Sequence, residues 1–360
     1  MKKMTATEAI GLLTRLIATP SLSGEEAGTA DILAAELTAR GVEVRRLHNN
    51  IYALSQGFDA KKPTLMLNSH QDTVKPSSAY TRNPFDATIE DGRIYGLGSN
   101  DAGASLVSLV ATFCNNYDTS ALPYNLLIAL TAEEENMGEH GMRAFLPHLN
   151  EEGIAIDMVL VGEPTSMQAA TAERGLVVMD CTAHGKSGHA ARNEGENAIY
   201  KAMCDIEKLR NYRFERTSEQ LGEIKMSVTQ IGAGTQHNII PDECRFVVDI
   251  RTTDAYSNEE VVEILQSVVE CDAKPRSTRV RASAIPLTHP LVEAAMAIGR
   301  ECFVSPTTSD RAIMQGLPAL KMGVGESSRS HTADEFVLVS EIEEGIAIYD
   351  ALLQELTKKI

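Results

Sequence analysis

The chain has 360 residues, enough for two domains with substantial cores, and a formal net charge of −17. Apolar residues make up 43% and charged residues 23% of the chain, which is typical of a folded globular protein and excludes a disordered one. The negative charge argues against a nucleic-acid or anionic-membrane partner, because both are polyanions. The sequence has no apolar run of about 20 residues, no signal-peptide pattern and no closely spaced cysteine pair. We therefore expect a cytoplasmic protein with free thiols.

The first half of the chain alternates helical and strand patterns. Apolar residues at helical spacing predict three helices, over residues 7–18, 29–40 and 106–113. Short apolar runs predict four buried strands, at residues 51–54, 64–68, 126–130 and 158–162. Strands that alternate with helices indicate an α/β fold with a mixed, mostly parallel sheet.

From about Gly175 the order of the elements changes. The patterns predict a strand, a helix, two strands, a helix and a last strand, over residues 176–183, 197–212, 225–231, 244–251, 257–270 and 279–285. This β-α-β-β-α-β order is that of a ferredoxin-like α+β unit. Because residues 286–360 return to helices and short apolar runs, we expect a domain of residues 175–285 inserted into a larger domain of residues 1–174 and 286–360.

Several polar segments follow the predicted strands of the larger domain or its glycine-rich loops. They contain His70 and Asp72, Asp101, the triplet Glu133–Glu135, Glu163, and His331. In open α/β sheets, sites form outside the carboxyl ends of the strands, so these side chains are expected to converge. Alternate residues of an extended chain share a side, which places Asp72 to hold the imidazole of His70.

Each of these segments has an ordinary structural explanation when it is taken alone. His70 and Asp72 fit a solvated turn, Asp101 fits a helix cap, and the three glutamates fit a solvated acidic loop. Together, two histidines and several carboxylates make a mixed nitrogen and oxygen donor set suited to zinc or another divalent ion. A carboxylate that bridges two such ions is the arrangement of two-metal hydrolases.

Two other segments resemble nucleotide-binding motifs but lack a required residue. Residues 96–98 begin like a dinucleotide fingerprint, yet Asp101 stands where the third glycine belongs and would repel a pyrophosphate. Residues 184–187 resemble the end of a phosphate-binding loop, but Asp180 occupies the place of its first glycine. These departures disfavour an NAD-linked oxidoreductase.

In their order and spacing the polar segments resemble the M20 metallopeptidase family over almost the whole chain. The matching segments are residues 69–74, 98–101, 132–135, 162–165 and 330–335. The resemblance implies an amidohydrolase that uses two zinc ions, or cobalt or manganese in their place, to remove the acyl group from an N-acyl amino acid. We expect an enzyme like acetylornithine deacetylase, in arginine biosynthesis. The alternatives are a succinyl-diaminopimelate desuccinylase or another M20 deacylase, and a non-catalytic dimeric binding homologue.

The resemblance also implies a role for each candidate residue of the larger domain. The implied metal ligands are His70 and Glu163 for one ion, Glu135 and His331 for the other, and Asp101 as the bridge between the two. Glu134 matches the general base, and Asp72 supports catalysis through His70. The family usually has Asp where this chain has Glu133, so the register of the three glutamates stays open by one residue. A cis peptide bond is implied between Asp101 and Ala102.

The inserted domain carries segments that match the lid of the same family, at residues 188–191, 195–199, 238–242 and 249–251. The resemblance implies that His189 reaches across a homodimer to the scissile carbonyl, while a surface histidine without a role is the alternative. It also implies that Asn238 and Arg251 contact the substrate, and Arg251 is the candidate partner of its α-carboxylate.

Overall fold

A computed structural model describes residues 2–192 and 194–360. The chain divides into two compact units. The first unit consists of the chain up to Thr171 together with Ile285–Phe303 and Ser309–Ile360, and the second consists of Ala172–Ala284 with Val304–Thr308. The sequence places the boundaries at residues 175 and 285 and assigns residues 304–308 to the larger domain, whereas in the structure those five residues group with the second unit.

The helices and strands of the described residues are numbered in chain order. The helices are α1 (Ala6–Ile17), α2 (Ala27–Ala39), α3 (Ala104–Asn115), α4 (Met142–Glu151), α5 (Ala198–Asn211), α6 (Asn258–Val268), α7 (Pro290–Ala297) and α8 (Val339–Thr357). The strands are β1 (Arg45–Leu47), β2 (Asn50–Leu54), β3 (Thr64–His70), β4 (Ile89–Glu90), β5 (Arg93–Tyr95), β6 (Asn125–Thr131), β7 (Met158–Val161), β8 (Ala169–Glu173), β9 (Gly175–His184), β10 (Gly188–His189), β11 (Lys225–Ala233), β12 (Ile239–Ile240), β13 (Glu243–Thr252), β14 (Asp272–Pro275), β15 (Ser283–Ala284), β16 (Cys302–Ser305), β17 (Ala319–Lys321) and β18 (Phe336–Leu338).

The first unit is built on a mixed sheet whose strands lie in the order β1-β2-β6-β3-β7-β17-β8. Its centre is parallel, because β3 pairs in parallel with β6 and β7, and β7 with β17. The outer pairings, β1 with β2, β2 with β6 and β8 with β17, are antiparallel. Strands β3, β6 and β7 are buried along their whole length, as continuous apolar runs predict for a sheet covered on both faces. The predicted α/β fold with a mixed sheet is confirmed.

Helices cover both faces of this sheet. On one face, Leu13 of α1, Leu109 of α3 and Leu353 of α8 belong to one apolar cluster, and eleven of the twelve residues of α3 are buried. On the other face, α4 places Phe145 against Tyr52, with ring centroids 5.1 Å apart in an edge-to-face arrangement. None of the helices in the described residues is long and apolar enough to cross a membrane.

The second unit contains a four-stranded antiparallel sheet in the order β11-β13-β9-β14. Leu209 of α5 and Leu265 of α6 share an apolar cluster with Val177 and Phe246 of the sheet. Helix α6 begins at a capping box formed by Ser257 and Glu260. The chain order β9-α5-β11-β13-α6-β14 is the predicted ferredoxin-like order.

The last strand of this sheet does not lie where the sequence predicts it. Strand β14 pairs with β9 in that position, whereas residues 279–285 contribute a bridge from Val280 to Leu176 and the short strand β15. Ala273 is the one buried side chain of β14, so this strand carries almost no apolar alternation. The residues at 279–285 alternate apolar and polar but contact this sheet only through the Val280 bridge, and the prediction followed that pattern to the wrong segment.

Candidate metal centre

The candidate residues of the first unit lie at the carboxyl ends of three adjacent strands. His70 is the last residue of β3, Glu134 and Glu135 follow β6, and Glu163 follows β7. Because β3 pairs in parallel with both β6 and β7, these three ends meet at one edge of the sheet. The expected convergence of these side chains is therefore present in the fold.

Asp101 lies on a tight turn, Ser99–Gly103, that precedes α3. Its peptide bond to Ala102 is cis, as the sequence resemblance implies. Glu335, which is 2% exposed, holds this turn: its carboxylate accepts hydrogen bonds from the backbone N–H groups of Gly98 (3.1 Å), Asn100 (2.8 Å) and Asp101 (2.8 Å). The residue that caps α3 is Gly103, so Asp101 is not the helix cap, and its backbone is fixed by a buried acid.

The carboxylate of Asp101 lies between two histidines. Its Oδ1 is 3.3 Å from Nε2 of His70, and its Oδ2 is 3.5 Å from Nε2 of His331. Nε2 of His331 is also 3.0 Å from Oε2 of Glu135, and Nε2 of His70 is 3.6 Å from Oε1 of Glu163. Each histidine thus has its own carboxylate neighbour, and each faces a different oxygen of Asp101.

Asp72 contacts residues at the carboxyl ends of both β3 and β6. The Nδ1 of His70 is 3.0 Å from the backbone carbonyl of Asp72 and 3.4 Å from its Oδ1. The carboxylate also accepts the backbone N–H groups of Glu134 (3.0 Å) and Glu135 (3.1 Å) and the hydroxyl of Ser23 (2.7 Å). Asp72 therefore orients the imidazole, as its spacing predicts, and in addition fixes the backbone of the two glutamates.

Several buried acidic side chains lie close together in this cluster, and the pKa values of its residues are shifted. Burial raises the pKa of Glu134 well above its usual value and raises that of Glu163 to about 8, in each case against the opposing charge of His70. Burial alone would lower the pKa of His70, but its hydrogen bonds to Asp101 and Asp72 raise it well above the usual range. The hydrogen bond to Glu135 raises the pKa of His331 to about 9.

The donor set fits two divalent cations. The donor atoms of His70, Glu134 and Glu163 lie within 4.8 Å of one another, and so do those of His70, Asp101 and Glu135. Imidazole nitrogens and carboxylate oxygens without thiolates suit zinc and equally suit cobalt or manganese. Cations at this edge of the sheet would stabilise the charged form of these carboxylates, against the effect of burial.

Comparison with known proteins decides the family. The model of Peptidase family M20/M25/M40 matches residues 66–355. The chain belongs to this family. It is therefore a hydrolase, and the family assignment made from the sequence is confirmed.

Relatives and solved structures of the M20 type cover nearly the whole chain. Succinyl-diaminopimelate desuccinylases of Caulobacter sp. (strain K31) and Halorhodospira halophila are 29% and 28% identical, each over 96% of this chain and over 95% and 97% of their own lengths. The aminopeptidase PepT of Bacillus cereus has a TM-score of 0.77 at 20% identity, covering 98% of this chain and 99% of its own. The YXEP protein of Bacillus subtilis, described as a dinuclear metal binding peptidase from the M20 family, has a TM-score of 0.71 at 17% identity, with 99% of both chains covered. At these identities the solved structures show the fold alone.

Three residues that match the M20 lid lie in the second unit. His189 of β10 pairs with Ile239 of β12, and the N–H of Ala190 donates to the carbonyl of Asn238 at 3.0 Å, so His189 and Asn238 are neighbours on one short ribbon. Arg251 lies on β13, where its guanidinium makes two hydrogen bonds to Asp249, at 2.8 and 3.2 Å. Arg251 thus has an acidic partner that sequence reasoning did not anticipate.

Sequence reasoning missed three buried charged residues around the candidate metal centre. Asp310 accepts the hydroxyl of Thr131 at 2.8 Å, and burial raises the pKa of Asp310 to about 6. Lys321 ends β17, is 1% exposed, and its charge acts on Glu163. Glu26 accepts the N–H of Glu133 at 3.2 Å. In the sequence, Glu26 resembles an ordinary acid at a helix start, and no local pattern marks the other two.

Proposed function

We propose that this chain is a two-metal amidohydrolase that cleaves the amide bond of an N-acyl amino acid. The observation that supports this most strongly is Asp101, whose two carboxylate oxygens face His70 and His331 on opposite sides. A carboxylate in that position is what a bridged pair of cations needs. Asp101, His70 and Glu163 would hold one cation, and Asp101, Glu135 and His331 the other.

Two bound divalent cations supply Lewis-acid polarisation of the substrate carbonyl and lower the pKa of a water molecule towards about 7. Glu134 is the residue of this chain that moves the proton. Its carboxylate takes a proton from the attacking water and later delivers it to the nitrogen of the leaving amine. The amide C–N bond breaks, and the products are a carboxylic acid and a free amino acid.

The position of Glu134 supports this role. Its donor oxygen lies within 4.8 Å of both the His70 and Glu163 donor atoms, and the residue as a whole is half-buried. Its backbone N–H is fixed by Asp72 at 3.0 Å, which limits how far the carboxylate moves during two proton transfers. Glu135 has a different neighbour, because His331 contacts it at 3.0 Å. These contacts favour Glu134 as base and Glu135 as ligand.

We further propose that His189, Asn238 and Arg251 contact the substrate, with His189 supplied by the partner in a homodimer. Nδ1 of His189 accepts the N–H of Ala191 at 3.1 Å, so the neutral ring carries its proton on Nε2. That N–H is a suitable donor to the oxygen of a carbonyl that is gaining negative charge. The guanidinium of Arg251 would bind the substrate α-carboxylate in place of Asp249.

For the acyl group we propose succinyl. The curated relatives quoted above carry the name succinyl-diaminopimelate desuccinylase and align over 96% of the chain. This choice replaces acetylornithine as the first expectation, since the comparisons do not show acetyl specificity. We place the enzyme in the cytoplasm, because all six cysteines are free thiols, which a reducing compartment preserves.

The test is a substrate panel assayed with metal-loaded protein. N-succinyl-diaminopimelate, N-succinyl-ornithine, N-acetyl-ornithine and N-acetyl-citrulline are compared by kcat/KM for release of the free amino acid, with Glu134→Gln as the control. Higher values for the succinyl compounds support the proposal. A higher value for an acetyl compound contradicts the choice of acyl group, and no turnover of any amide by protein that holds two ions favours a non-catalytic binding protein.

A further inference from the structure

Asn100 is buried beside the proposed bridging residue and has no role in the chemistry described so far. Its side chain is 0% exposed. Oδ1 accepts the backbone N–H of Glu326 at 2.9 Å, and Nδ2 donates to the backbone carbonyl of Glu326 at 3.1 Å. The amide therefore pairs with both polar groups of one residue, as a neighbouring β-strand would. Nδ2 also lies 3.3 Å from the hydroxyl of Ser330.

The loop that contains Gly325 and Glu326 approaches this amide closely. Gly325 precedes Glu326 and has a φ of +93°, which favours glycine. A Cβ atom at Gly325 would lie 2.3 Å from Oδ1 of Asn100, closer than any side chain permits. The close approach of Gly325 and both hydrogen bonds to Glu326 therefore depend on one another.

The same loop carries His331. It is attached to the Asp101 turn at both ends: Glu326 and Ser330 bind the side chain of Asn100, and Glu335 accepts the N–H groups of Asn100 and Asp101, each at 2.8 Å. His331 lies between these two hydrogen-bonded attachment points, with a positive φ of 58° and a side chain that is 54% exposed. Packing therefore does little to fix this imidazole, in contrast with the buried His70.

We propose that Asn100 is a positioning residue that sets His331 in the second metal position, next to Asp101 and Glu135. Glu335 holds the backbone N–H of Asp101 without the Asn100 side chain, so loss of this amide should loosen the His331 loop and leave the Asp101 carboxylate in place. Asn100→Asp would keep the acceptor for Glu326 N–H but lose both donor bonds, and Asn100→Ala would lose all three. The proposal rests on the proposed metal centre and not on the identity of the substrate.

The experiment measures binding of Zn²⁺ alone to the full chain, by competition with a chromophoric chelator. Variants Asn100→Ala and Asn100→Asp are compared with Asn115→Ala. Asn115 is a matched control at the end of α3, because its side chain also pairs with both polar groups of one residue, Met4, at 2.9 and 3.2 Å. Melting temperatures report the structural cost of each change.

We expect Asn100→Ala to bind one ion as the unchanged protein does and the other about 10- to 100-fold more weakly, as for losses of groups that orient a ligand. Asn100→Asp should show the same selective weakening, because a carboxylate oxygen would face the Glu326 carbonyl in place of a donor, and it keeps the test informative if the alanine variant does not fold. Asn115→Ala should retain both affinities even if its melting temperature falls. In a His331→Ala background, Asn100→Ala should add little further weakening, since both changes act on one ligand.

Three results would overturn the proposal. Unchanged affinities for both ions in Asn100→Ala would show that the loop holds His331 without this amide. Equal weakening of both ions, or additive effects with His331→Ala, would show that Asn100 acts on the whole centre. These binding measurements stand apart from the proposed activity, because protein that binds two ions and cleaves none of the amides disproves the activity alone.

Discussion

The candidate residues of the two units differ in how the chain holds them. In the first unit, Asp72 and Glu335 are buried acids that fix the backbone of Glu134 and of Asp101 through N–H bonds of 2.8–3.1 Å. In the second unit, the exposed His189 lies on a ribbon of two residue pairs, Gly188 with Ile240 and His189 with Ile239. The first arrangement is organised before any substrate arrives, whereas the second has little of its own packing to define it.

This difference separates two kinds of contribution to catalysis. Groups that are fixed in advance stabilise developing charge without reorganising during the reaction. Groups on a short exposed ribbon become ordered through a substrate or a partner chain, so part of the binding energy is used to order them. We therefore expect changes in the first unit to reduce kcat through the chemical step, and changes in the second unit to depend on the substrate or on a partner.

The largest effect is expected from removal of the metal ions. Dialysis against a chelator should abolish amide hydrolysis, while far-ultraviolet circular dichroism stays near that of the loaded protein, because the large apolar core does not depend on the centre. Elemental analysis of reloaded protein should find two ions per chain. Full activity with a single ion would contradict the bridging position of Asp101.

The next largest effect is expected at Glu134, and it distinguishes this residue from the neighbouring Glu135. Glu134→Gln should lower kcat by about 10²- to 10⁴-fold, the range for loss of a general base, and should keep both ions. Glu135→Gln is the matched control, because it removes the same charge one residue away and should weaken metal binding first, through His331. Exchanged phenotypes would show that the register of the three glutamates is shifted by one.

A smaller loss of activity is expected from changing His189 on the ribbon formed by β10 and β12. His189→Ala should lower kcat by about 10²- to 10³-fold, as when one donor to the carbonyl oxygen is removed. Mixing inactive Glu134→Gln and His189→Ala chains should restore part of the activity if each site takes His189 from the partner. Native mass spectrometry verifies that subunits exchange. Exchange without recovery of activity would place His189 in its own chain's site or outside catalysis.

The smallest effect is expected at Arg251. Arg251→Ala should reduce kcat/KM, mainly through KM, by the equivalent of about 1.5–3 kcal/mol for a hydrogen bond to a charged group. Arg245 is the matched control, since it also lies on β13 and pairs with an acid two residues away, Glu243. Arg245→Ala should leave KM unchanged. Equal KM values for the two variants would remove Arg251 from substrate binding.

Much of the metal centre was predictable because its residues follow strong local patterns. His70, Glu134 and Glu163 each come at or just after an apolar run, and parallel pairing of those runs brings the three ends together without further information. His331 and Asp101 follow glycine-containing loops, which marks them as candidates, whereas their roles as ligand and bridge come only from the resemblance to a family pattern. Strand β14 was missed because its pairing with β9 compensates for the absence of an apolar pattern.

The residues that hold the centre were not predictable in the same way. Glu26 immediately precedes α2, at a helix start where an acid is common, and its contact with Glu133 joins positions 107 residues apart. Asn100 in a glycine-rich loop reads as an ordinary turn residue, and its pairing with Glu326 spans 226 residues. Such contacts depend on where distant loops meet, which a single sequence without a fold does not specify.

The first unit is assembled from chain segments on either side of the second, and this arrangement orders events during synthesis. A chain that emerges N-terminus first has made β3, β6 and β7 long before β17, α8 and His331 exist. At roughly 5–20 residues per second, the ~170 residues between Glu163 and His331 take roughly ten to thirty seconds to synthesise. The second unit, nearly contiguous in the chain, is completed within that interval. Synthesis therefore completes the second unit before His331, the last of the candidate ligands along the chain, has been made.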